Sequence, residues 1–234
     1  MTKPRVKETD QGIQGEFTVK MYDQFQRGMR DKGWIETQDI LKSGITQGQA
    51  LEVGPGPGYL GLEWLKYTQG TTLKGLDISP DMIALAERNA RLYGFSDRVE
   101  YVHSSGDKMP FEGNAFDAVF TNGSLHEWAD PRCTFNEIWR VLKPGGKVFI
   151  ADLRRDMPLF LKVFLWLNAR PQAIRAGLTS SINAAYTPAE LKLLIQETRL
   201  ANCWISANLI GLTLKGAKKI QHEENYRPDR PGAK

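Results

Sequence analysis

One stretch constrains the fold of this chain more than any other: a short apolar run that ends in a dense cluster of glycine and proline. It reads Leu51-Glu52-Val53-Gly54-Pro55-Gly56-Pro57-Gly58-Tyr59-Leu60-Gly61, and a helix-compatible segment follows. This order predicts a strand, a tight loop and the first turn of a helix. Free backbone N–H groups and the positive end of the helix dipole converge at such a place, so the loop favours an anionic or polar ligand group.

The alternating glycines of this loop indicate more than a simple turn. Gly54, Gly56 and Gly58 have no Cβ, so the backbone can adopt positive φ and a ligand can lie directly against it. Glycine is also common in ordinary connections between a strand and a helix. Three alternating glycines with a proline after each of the first two are nevertheless dense for a turn alone. We therefore predict a ligand-binding loop.

Two classes of ligand fit the loop. Residues 56–61 satisfy the G-x-G-x-x-G fingerprint of dinucleotide-binding proteins, and Asp77 follows at a suitable distance. The alternative motif begins at Glu52 and takes every second residue from 54 to 58 as glycine. The second motif is favoured because the strand ends at Val53, directly before its first glycine. In addition, residues 1–48 precede the strand, whereas a dehydrogenase usually begins near its first strand.

Strands and helices alternate along the rest of the chain. Apolar runs separated by amphipathic helical segments predict five strands, at residues 50–53, 72–77, 99–103, 116–120 and 147–151. A closing pair of strands is predicted at residues 203–207 and 210–214. Such alternation is typical of an α/β fold with a mainly parallel sheet.

The chain is predicted to be a single domain, because no internal repeat and no linker-like segment divides it. Residues 1–48 form a predicted N-terminal helical cap. Residues 49–217 form the predicted core, with an insert around residues 153–187 that we expect to be the wall of a substrate site. Residues 218–234 are polar and contain proline, which predicts a disordered tail.

The composition argues against several classes of protein. The 234 residues are 41% hydrophobic and 25% charged, an ordinary profile for a globular domain. Cys133 and Cys203 lie far apart without histidines at metal-ligand spacing, so we expect neither a zinc site nor a disulfide framework, and we expect a cytoplasmic location. We also expect no membrane span and no signal peptide. The net charge of +4 is small and scattered, so a nucleic-acid partner is not expected.

Four ordered blocks of sequence together resemble the class I S-adenosylmethionine-dependent methyltransferases, in particular the small-molecule methyltransferases of the ubiquinone and menaquinone biosynthesis type. The blocks are residues 52–58, 75–82, 109–119 and 137–146. The resemblance implies a Rossmann-like, seven-stranded, mostly parallel sheet with helices on both faces and an antiparallel C-terminal hairpin. It also implies S-adenosylmethionine as the cofactor.

The resemblance implies a role for the glycine loop. Gly54, Gly56 and Gly58 would pass beneath the methionine part of S-adenosylmethionine, with Pro55 in the same loop. Glu52 would orient the loop or reach the amino group of the methionine, directly or through water.

It also implies a ribose site and an adenine site. Asp77, at the end of the second strand, would accept both ribose hydroxyls, because one carboxylate can accept two neighbouring O–H bonds. The other residues expected around the cofactor are Tyr22, Ile78, Met82, Ser105, Gly106, Asp107, Asn122, Gly123 and Ser124. Among them, residues 105–107 would hold adenine, residues 122–124 would pass near the sulfonium, and Tyr22 would close over the ligand.

Candidates for catalysis follow the fourth strand. His126 has an unperturbed pKa suited to a general base near neutral pH, and Glu127 is the next candidate. His126 fits a packing role equally well. The expected reaction is in-line attack of a substrate nucleophile on the methyl group, in which the protein mainly aligns the reactants. We expect no metal ion, and the expected acceptor is a small molecule with an apolar part.

Three alternatives stay open at this point: an RNA- or protein-modifying methyltransferase, an NAD-dependent oxidoreductase, and a module that binds S-adenosylmethionine without turnover. The loop after the fourth strand lacks the paired prolines typical of methyltransferases that act on the amino groups of bases. The block at residues 143–146 and the N-terminal cap argue against the oxidoreductase. No motif in the sequence indicates an oligomeric state or a particular methyl acceptor.

Overall fold

The computed structural model describes residues 3–8 and 12–219 of the chain. Seven strands form one sheet: β1 (Gln49–Val53), β2 (Thr72–Asp77), β3 (Val99–His103), β4 (Phe116–Asn122), β5 (Leu142–Leu153), β6 (Trp204–Ala207) and β7 (Gly211–Ala217). Around it lie α1 (Glu16–Asp31), α2 (Thr37–Lys42), α3 (Tyr59–Lys66), α4 (Pro80–Tyr93), α5 (Pro131–Val141), α6 (Leu159–Asn168), α7 (Arg175–Ala184) and α8 (Pro188–Gln196).

The strand order across the sheet is β3-β2-β1-β4-β5-β7-β6. All neighbouring strands are parallel except β7, which runs antiparallel to both β5 and β6. The predicted α/β class and the antiparallel C-terminal hairpin are therefore confirmed. The strand order reverses between β1 and β4, and ligands of open α/β sheets bind at the carboxyl ends of the strands beside such a reversal.

Helices cover both faces of the sheet because its central strands are apolar on both sides. On one face, Phe135 of α5 and Leu191 of α8 belong to the same buried cluster as Val119 of β4. On the other face, Trp64 of α3 belongs to a second cluster with Phe120 of β4. Adjacent residues of β4 thus point to opposite layers, as the alternation of side chains in a strand requires.

The observed elements differ from the predicted ones mainly at their ends. The fifth strand was predicted to begin at residue 147, but β5 begins at Leu142, so residues 143–146 lie inside it. The pairing of β5 with β4 shifts register between Phe116 and Ala118, and such a bulge lets a strand accommodate extra residues.

Two regions around the core agree with the predictions in outline. Helices α1 and α2 precede β1, as expected for the N-terminal helical cap, and α1 contacts α3, α4 and the 3-10 turn Gln172–Ile174. The insert after β5 contains that turn and the helices α6 and α7. Helix α6 has no buried residue and exposes large apolar side chains: Leu159, Phe160, Val163, Phe164, Trp166 and Leu167.

The beginning of the predicted tail is part of the fold. Lys218 is buried, and its ammonium donates hydrogen bonds to Asn114 Oδ1, Trp139 O and Leu142 O over 2.7, 2.9 and 2.7 Å. The tail was predicted to begin at residue 218, but Lys218 belongs to the fold. Residues 220–234 of the predicted tail lie outside the described residues, as do residues 1–2 and 9–11 of the predicted cap. Within the described ranges, the helices are too short or too polar to cross a membrane.

Candidate functional site

The glycine loop connects β1 to α3 as the sequence predicts. Gly54, Gly56 and Gly58 have φ angles of 67°, 52° and 82°. A Cβ on Gly54 would lie 2.6 Å from the Cβ of Ser124, and a Cβ on Gly58 would lie 2.6 Å from the Tyr101 hydroxyl. The loop therefore needs glycine at both positions for backbone conformation and for space.

Asp77 ends β2 beside this loop. Its Oδ2 accepts a hydrogen bond from the Gly56 amide over 3.0 Å, and its Oδ1 accepts one from the Ser79 amide over 2.9 Å. Burial raises the pKa of the Asp77 carboxyl above its usual value, and these amide hydrogen bonds partly oppose the shift. Each oxygen keeps further acceptor capacity, because a carboxylate can accept about four hydrogen bonds.

The first turn of α4 completes this side of the site. The Ser79 hydroxyl accepts a hydrogen bond from the Met82 amide over 3.2 Å, and Pro80 occupies the first helical turn. The same hydroxyl donates to the carbonyl of Ile13, and Asp81 Oδ2 accepts from the Gly15 amide over 2.9 Å. The segment before α1 is thereby bound to the start of α4.

These elements line an open cavity, whose volume is about 810 Å³ when the solvent-filled mouth is included. Twelve of the predicted site residues line it: Tyr22, Gly54, Gly56, Asp77, Ile78, Met82, Ser105, Gly106, Asp107, Gly123, Ser124 and Glu127. They come from five separate parts of the chain, which the sheet brings to one edge.

Five predicted site residues lie outside the cavity lining: Glu52, Pro55, Gly58, Asn122 and His126. Glu52 is buried, and its carboxyl accepts a backbone hydrogen bond at Gly61, in the first turn of α3. Burial raises the pKa of Glu52 to about 8, and the negative charge of Asp77 adds to the shift. This position favours the expected orienting role of Glu52 over direct contact with a ligand, and its role stays a prediction.

The cavity also has lining residues that the sequence analysis missed. They are Gly12, Ile13, Val53, Leu76, Ser104, Trp128, Ala129 and Thr134. The ends of β1, β2 and β3 were predicted, so Val53, Leu76 and Ser104 could have been found from their places at those ends. No motif marks Gly12 and Ile13, which reach the cavity only through the contact with α4.

Tyr22 lies over the glycine loop from α1. A Cβ on Gly56 would lie 3.3 Å from Tyr22 Cε1, and the Tyr22 hydroxyl accepts a hydrogen bond from Gln26 Nε2 over 2.8 Å. Burial raises the pKa of Tyr22, with Glu127 as the next cause. The N-terminal cap thus places a side chain in the cavity, as the sequence predicts for Tyr22.

His126 is buried beside the cavity and is held by Asp152 at the end of β5. The distances from His126 Nδ1 to the two carboxylate oxygens of Asp152 are both 2.9 Å, and the His126 amide donates to Asp152 Oδ2 over 2.8 Å. Burial alone would lower the pKa of His126, but the charge and hydrogen bond of Asp152, with the charges of Glu127 and Glu8, raise it to about 9. The sequence analysis did not identify Asp152 as part of this group.

Glu127 lines the cavity where His126 does not. Burial raises the pKa of Glu127 to about 7; the charge of His126 opposes the shift, and Glu8 and Asp152 add to it. Of the two predicted catalytic residues, Glu127 is therefore the one that a ligand in the cavity could contact.

The described N-terminal segment, residues 3–8, brings Glu8 to this group. The Arg5 guanidinium donates to the carbonyls of Ala184 and His126 and lies 4.3 Å from the ring centre of Tyr186. The Val6 amide donates to Asn183 O over 3.1 Å. These contacts bind the segment to the end of α7 and to the 3-10 turn Leu125–Glu127.

Comparison with known proteins agrees with this geometry. Residues 51–150, from the glycine loop to β5, match the family model described as a methyltransferase domain. This matched segment, residues 51–150, therefore resembles a methyltransferase domain. The matched segment contains the glycine loop, Asp77, the residues after β3 and the residues after β4, so it supplies most of the cavity lining.

Two curated relatives match parts of this chain at 36% identity. One is the uncharacterized methyltransferase YdaC of Bacillus subtilis, over 118 residues, which are 50% of this chain and 63% of that protein. The other is the demethylmenaquinone methyltransferase of Clavibacter sepedonicus, over 101 residues, which are 40% of each chain. The chain thus spans about half the length of these relatives.

The structural similarity to known proteins extends beyond residues 51–150. A crystal structure from Methanococcus maripaludis, provisionally assigned as an S-adenosyl-L-methionine-dependent methyltransferase, superposes with a TM-score of 0.70 at 23% identity, covering 94% of this chain and 98% of that one. At this identity the likeness concerns the fold. The predicted Rossmann-like sheet and the predicted resemblance to methyltransferases are both confirmed.

Proposed function

We propose that the chain transfers the methyl group of S-adenosylmethionine to a small-molecule nucleophile by in-line displacement. The observation that carries the proposal is the position of Asp77. It is a buried carboxylate at the tip of β2 that accepts a hydrogen bond from the Gly56 amide and lines the cavity. The match of residues 51–150 to the methyltransferase domain family supports it.

The sheet topology favours this function over that of a dinucleotide-dependent oxidoreductase. The usual dinucleotide-binding sheet has the order 3-2-1-4-5-6. Here β7 is inserted between β5 and β6 and runs antiparallel to both. The G-x-G-x-x-G match at residues 56–61 is then incidental, because Gly58 and Gly61 serve the packing of Tyr101 and Glu52.

The proposed placement of the cofactor follows the cavity. Asp77 accepts the ribose hydroxyls, and residues 105–107, beyond β3, border the adenine. The glycine loop and residues 123–124 border the methionine part and the sulfonium, whose positive charge suits a cavity that also contains Glu127. Charge-assisted hydrogen bonds to Asp77 contribute about 1.5–3 kcal/mol each.

The proposed chemistry rests on alignment of the reactants more than on proton transfer. The sulfonium is already activated, so holding the acceptor in line with the methyl group can supply up to ~7–11 kcal/mol. A base adds ~10²–10⁴ in rate only when the nucleophile must lose a proton. Of the two candidate bases, Glu127 lines the cavity and His126 does not, so Glu127 is the one proposed for that task.

The proposed acceptor is a small molecule with an apolar part. Tyr22, Ile13 and Trp128 supply apolar surface in the cavity, and one of the curated relatives is named for demethylmenaquinone. The expected cytoplasmic location stays a prediction drawn from the composition.

Thermal unfolding with S-adenosylhomocysteine, NAD or NADP tests the proposed cofactor. A ligand at a hundred times its Kd stabilises the fold by ~2.7 kcal/mol, which for a chain of this size raises Tm by roughly 5–11 °C. We expect the rise with S-adenosylhomocysteine alone. A rise with NAD or NADP alone would overturn the proposal, and no rise with any of the three would contradict cofactor binding. Formation of S-adenosylhomocysteine with a panel of phenols, quinols and amines then tests the reaction.

A further inference from the structure

Three carboxylates surround the buried ring of His126. Asp152 contacts Nδ1 at 2.9 Å. On the opposite side of the ring, Nε2 lies 3.4 Å from Glu8 Oε2 and 3.8 Å from Glu127 Oε1. The group joins three parts of the chain: the N-terminal segment, the turn after β4 and the end of β5.

The orientation of the His126 ring is fixed from the Nδ1 side. Asp152 is held by the His126 and Leu153 amides, so its carboxylate accepts the proton of Nδ1. When a cation displaces the second proton of the ring, the lone pair is on Nε2, which is the arrangement of histidine ligands oriented by a carboxylate in metal sites.

His126 Nε2 is a buried polar atom without a hydrogen-bond partner in the described structure, although His126 is only 4% exposed. It points toward Glu8 and Glu127 but lies too far from either for a well-formed hydrogen bond. An unsatisfied buried nitrogen of this kind calls for a further ligand in the space between the three groups.

The spacing of the three side chains fits a metal ion. Ligand atoms from Glu8, His126 and Glu127 all lie within 4.8 Å of one another. Ligands about 2.1 Å from a metal are separated by about 3.4 Å in a tetrahedral site and about 3.0 Å in an octahedral one. The separations of 3.4 and 3.8 Å between Nε2 and the two carboxylates are at and slightly above the tetrahedral value, and the Glu8 and Glu127 oxygens lie within 4.8 Å of each other.

The charge of the group also calls for a cation. In the described part of the chain, His126 is the only basic side chain that pairs with Glu8, Glu127 or Asp152. The nearby Arg5 donates to backbone carbonyls instead. Three carboxylates beside one imidazole leave an excess of negative charge that a divalent ion would reduce.

We propose that Glu8, His126 and Glu127 bind a divalent transition metal ion at the edge of the cavity. One imidazole nitrogen with two carboxylate oxygens suits Mn²⁺ or Zn²⁺, whereas Ca²⁺ prefers six to eight oxygen ligands. The ion would fix the N-terminal segment against the turn after β4 and leave open positions toward the cavity that Glu127 lines. This site departs from the sequence-based expectation of no metal.

Calorimetric titration of the chelator-treated full chain with MnCl₂, ZnCl₂ and CaCl₂ tests the site without cofactor or acceptor, so its outcome is independent of methyl transfer. We expect one Mn²⁺ or Zn²⁺ per chain and weaker binding of Ca²⁺. Glu8→Gln and Glu127→Gln should each weaken binding at least tenfold, which is about 1.4 kcal/mol. Glu87→Gln removes the same charge from the exposed face of α4 and should bind as the unaltered chain does.

Two results would overturn the proposal. The first is the lack of saturable Mn²⁺ or Zn²⁺ binding up to millimolar metal. The second is binding that Glu8→Gln and Glu127→Gln leave unchanged, since the ion would then lie elsewhere on the chain. Circular dichroism of both variants checks that they are folded, and Glu8→Gln is the safer variant because Glu8 lies outside the core.

Discussion

The carboxylate of Asp77 and the amide of Gly56 are joined by a hydrogen bond of 3.0 Å, although 21 positions separate them in sequence. The bond ties the end of β2 to the glycine loop after β1, so the group proposed to hold the ribose also shapes the loop proposed to hold the methionine. A substitution at Asp77 should therefore affect both parts of the cofactor.

Asp77→Ala should weaken binding of S-adenosylhomocysteine at least tenfold, because it removes the charged acceptor of the ribose hydroxyls and frees the Gly56 amide. Isothermal titration calorimetry measures the change. Asp97→Asn, at an exposed position after α4, is the matched control and should bind normally. An unchanged Kd for Asp77→Ala would show that the ribose lies elsewhere.

Gly54→Ala should destabilise the fold more than Gly70→Ala does. Both glycines have positive φ, 67° and 64°, so each substitution strains the backbone by about 1 kcal/mol. Only the Cβ at position 54 would meet another atom, Ser124 Cβ at 2.6 Å, whereas nothing lies within 4 Å at Gly70. The overlap should add about 1–3 kcal/mol. Urea unfolding measures both variants, and equal losses would contradict the close contact with Ser124.

Asp152→Asn should lower the pKa of His126 from about 9 by at least about one unit, because it removes the charge that opposes burial. The pKa of His126 is higher in the folded chain than its unfolded value of ~6.5. The His126–Asp152 pair therefore contributes its full stabilisation of the fold below about pH 6.5. This contribution is lost as the pH rises through about 9. NMR titration of the ring protons measures the shift, with His103→Gln as an aid to assignment. A His126 pKa that stays near 9 in Asp152→Asn would contradict the role of Asp152.

Two adjacent arginines should differ strongly in their effect on stability. The buried guanidinium of Arg155 donates to Lys3 O, Ala185 O and Glu190 Oε1, so Arg155→Met should cost about 2–4 kcal/mol. Arg154 pairs with Asp156 near the surface, and Arg154→Met should cost less than about 1 kcal/mol. Thermal and urea unfolding of the two variants compare the losses. Equal losses would mean that the N-terminal segment is not held by Arg155.

The elements that the sequence predicted well are those whose signals are local. Residues 187–190 have the sequence of a capping box, and it forms at the start of α8: Thr187 Oγ1 accepts from the Glu190 amide, and Glu190 Oε2 accepts from the Thr187 amide. Likewise β2 and β3 have the predicted bounds, because each is an apolar run with clear breaks. The residues that end these strands were therefore predictable parts of the site.

The site residues that were missed depend on contacts between distant segments. Gly12 and Ile13 reach the cavity through hydrogen bonding at the start of α4. Glu8 comes to His126 from the N-terminal segment, and Asp152 comes to it from β5. The substrate wall expected at residues 153–187 contributes nothing to the lining of the cavity described, so its role stays a prediction. Periodicity and motifs contain no information on such pairings.

The sequence by itself determined the order of strands and helices, the glycine loop and the carboxylate at the end of β2. Each depends on neighbouring residues, through backbone freedom, side-chain alternation and helix capping. Only the tertiary structure decided which side chains face the cavity. It turned Glu127 toward the cavity and left His126 buried against Asp152, because the 3-10 turn that contains both residues packs against α7 and the N-terminal segment. The direction of a side chain in such a turn is set by what packs on it, and those partners are far away in sequence.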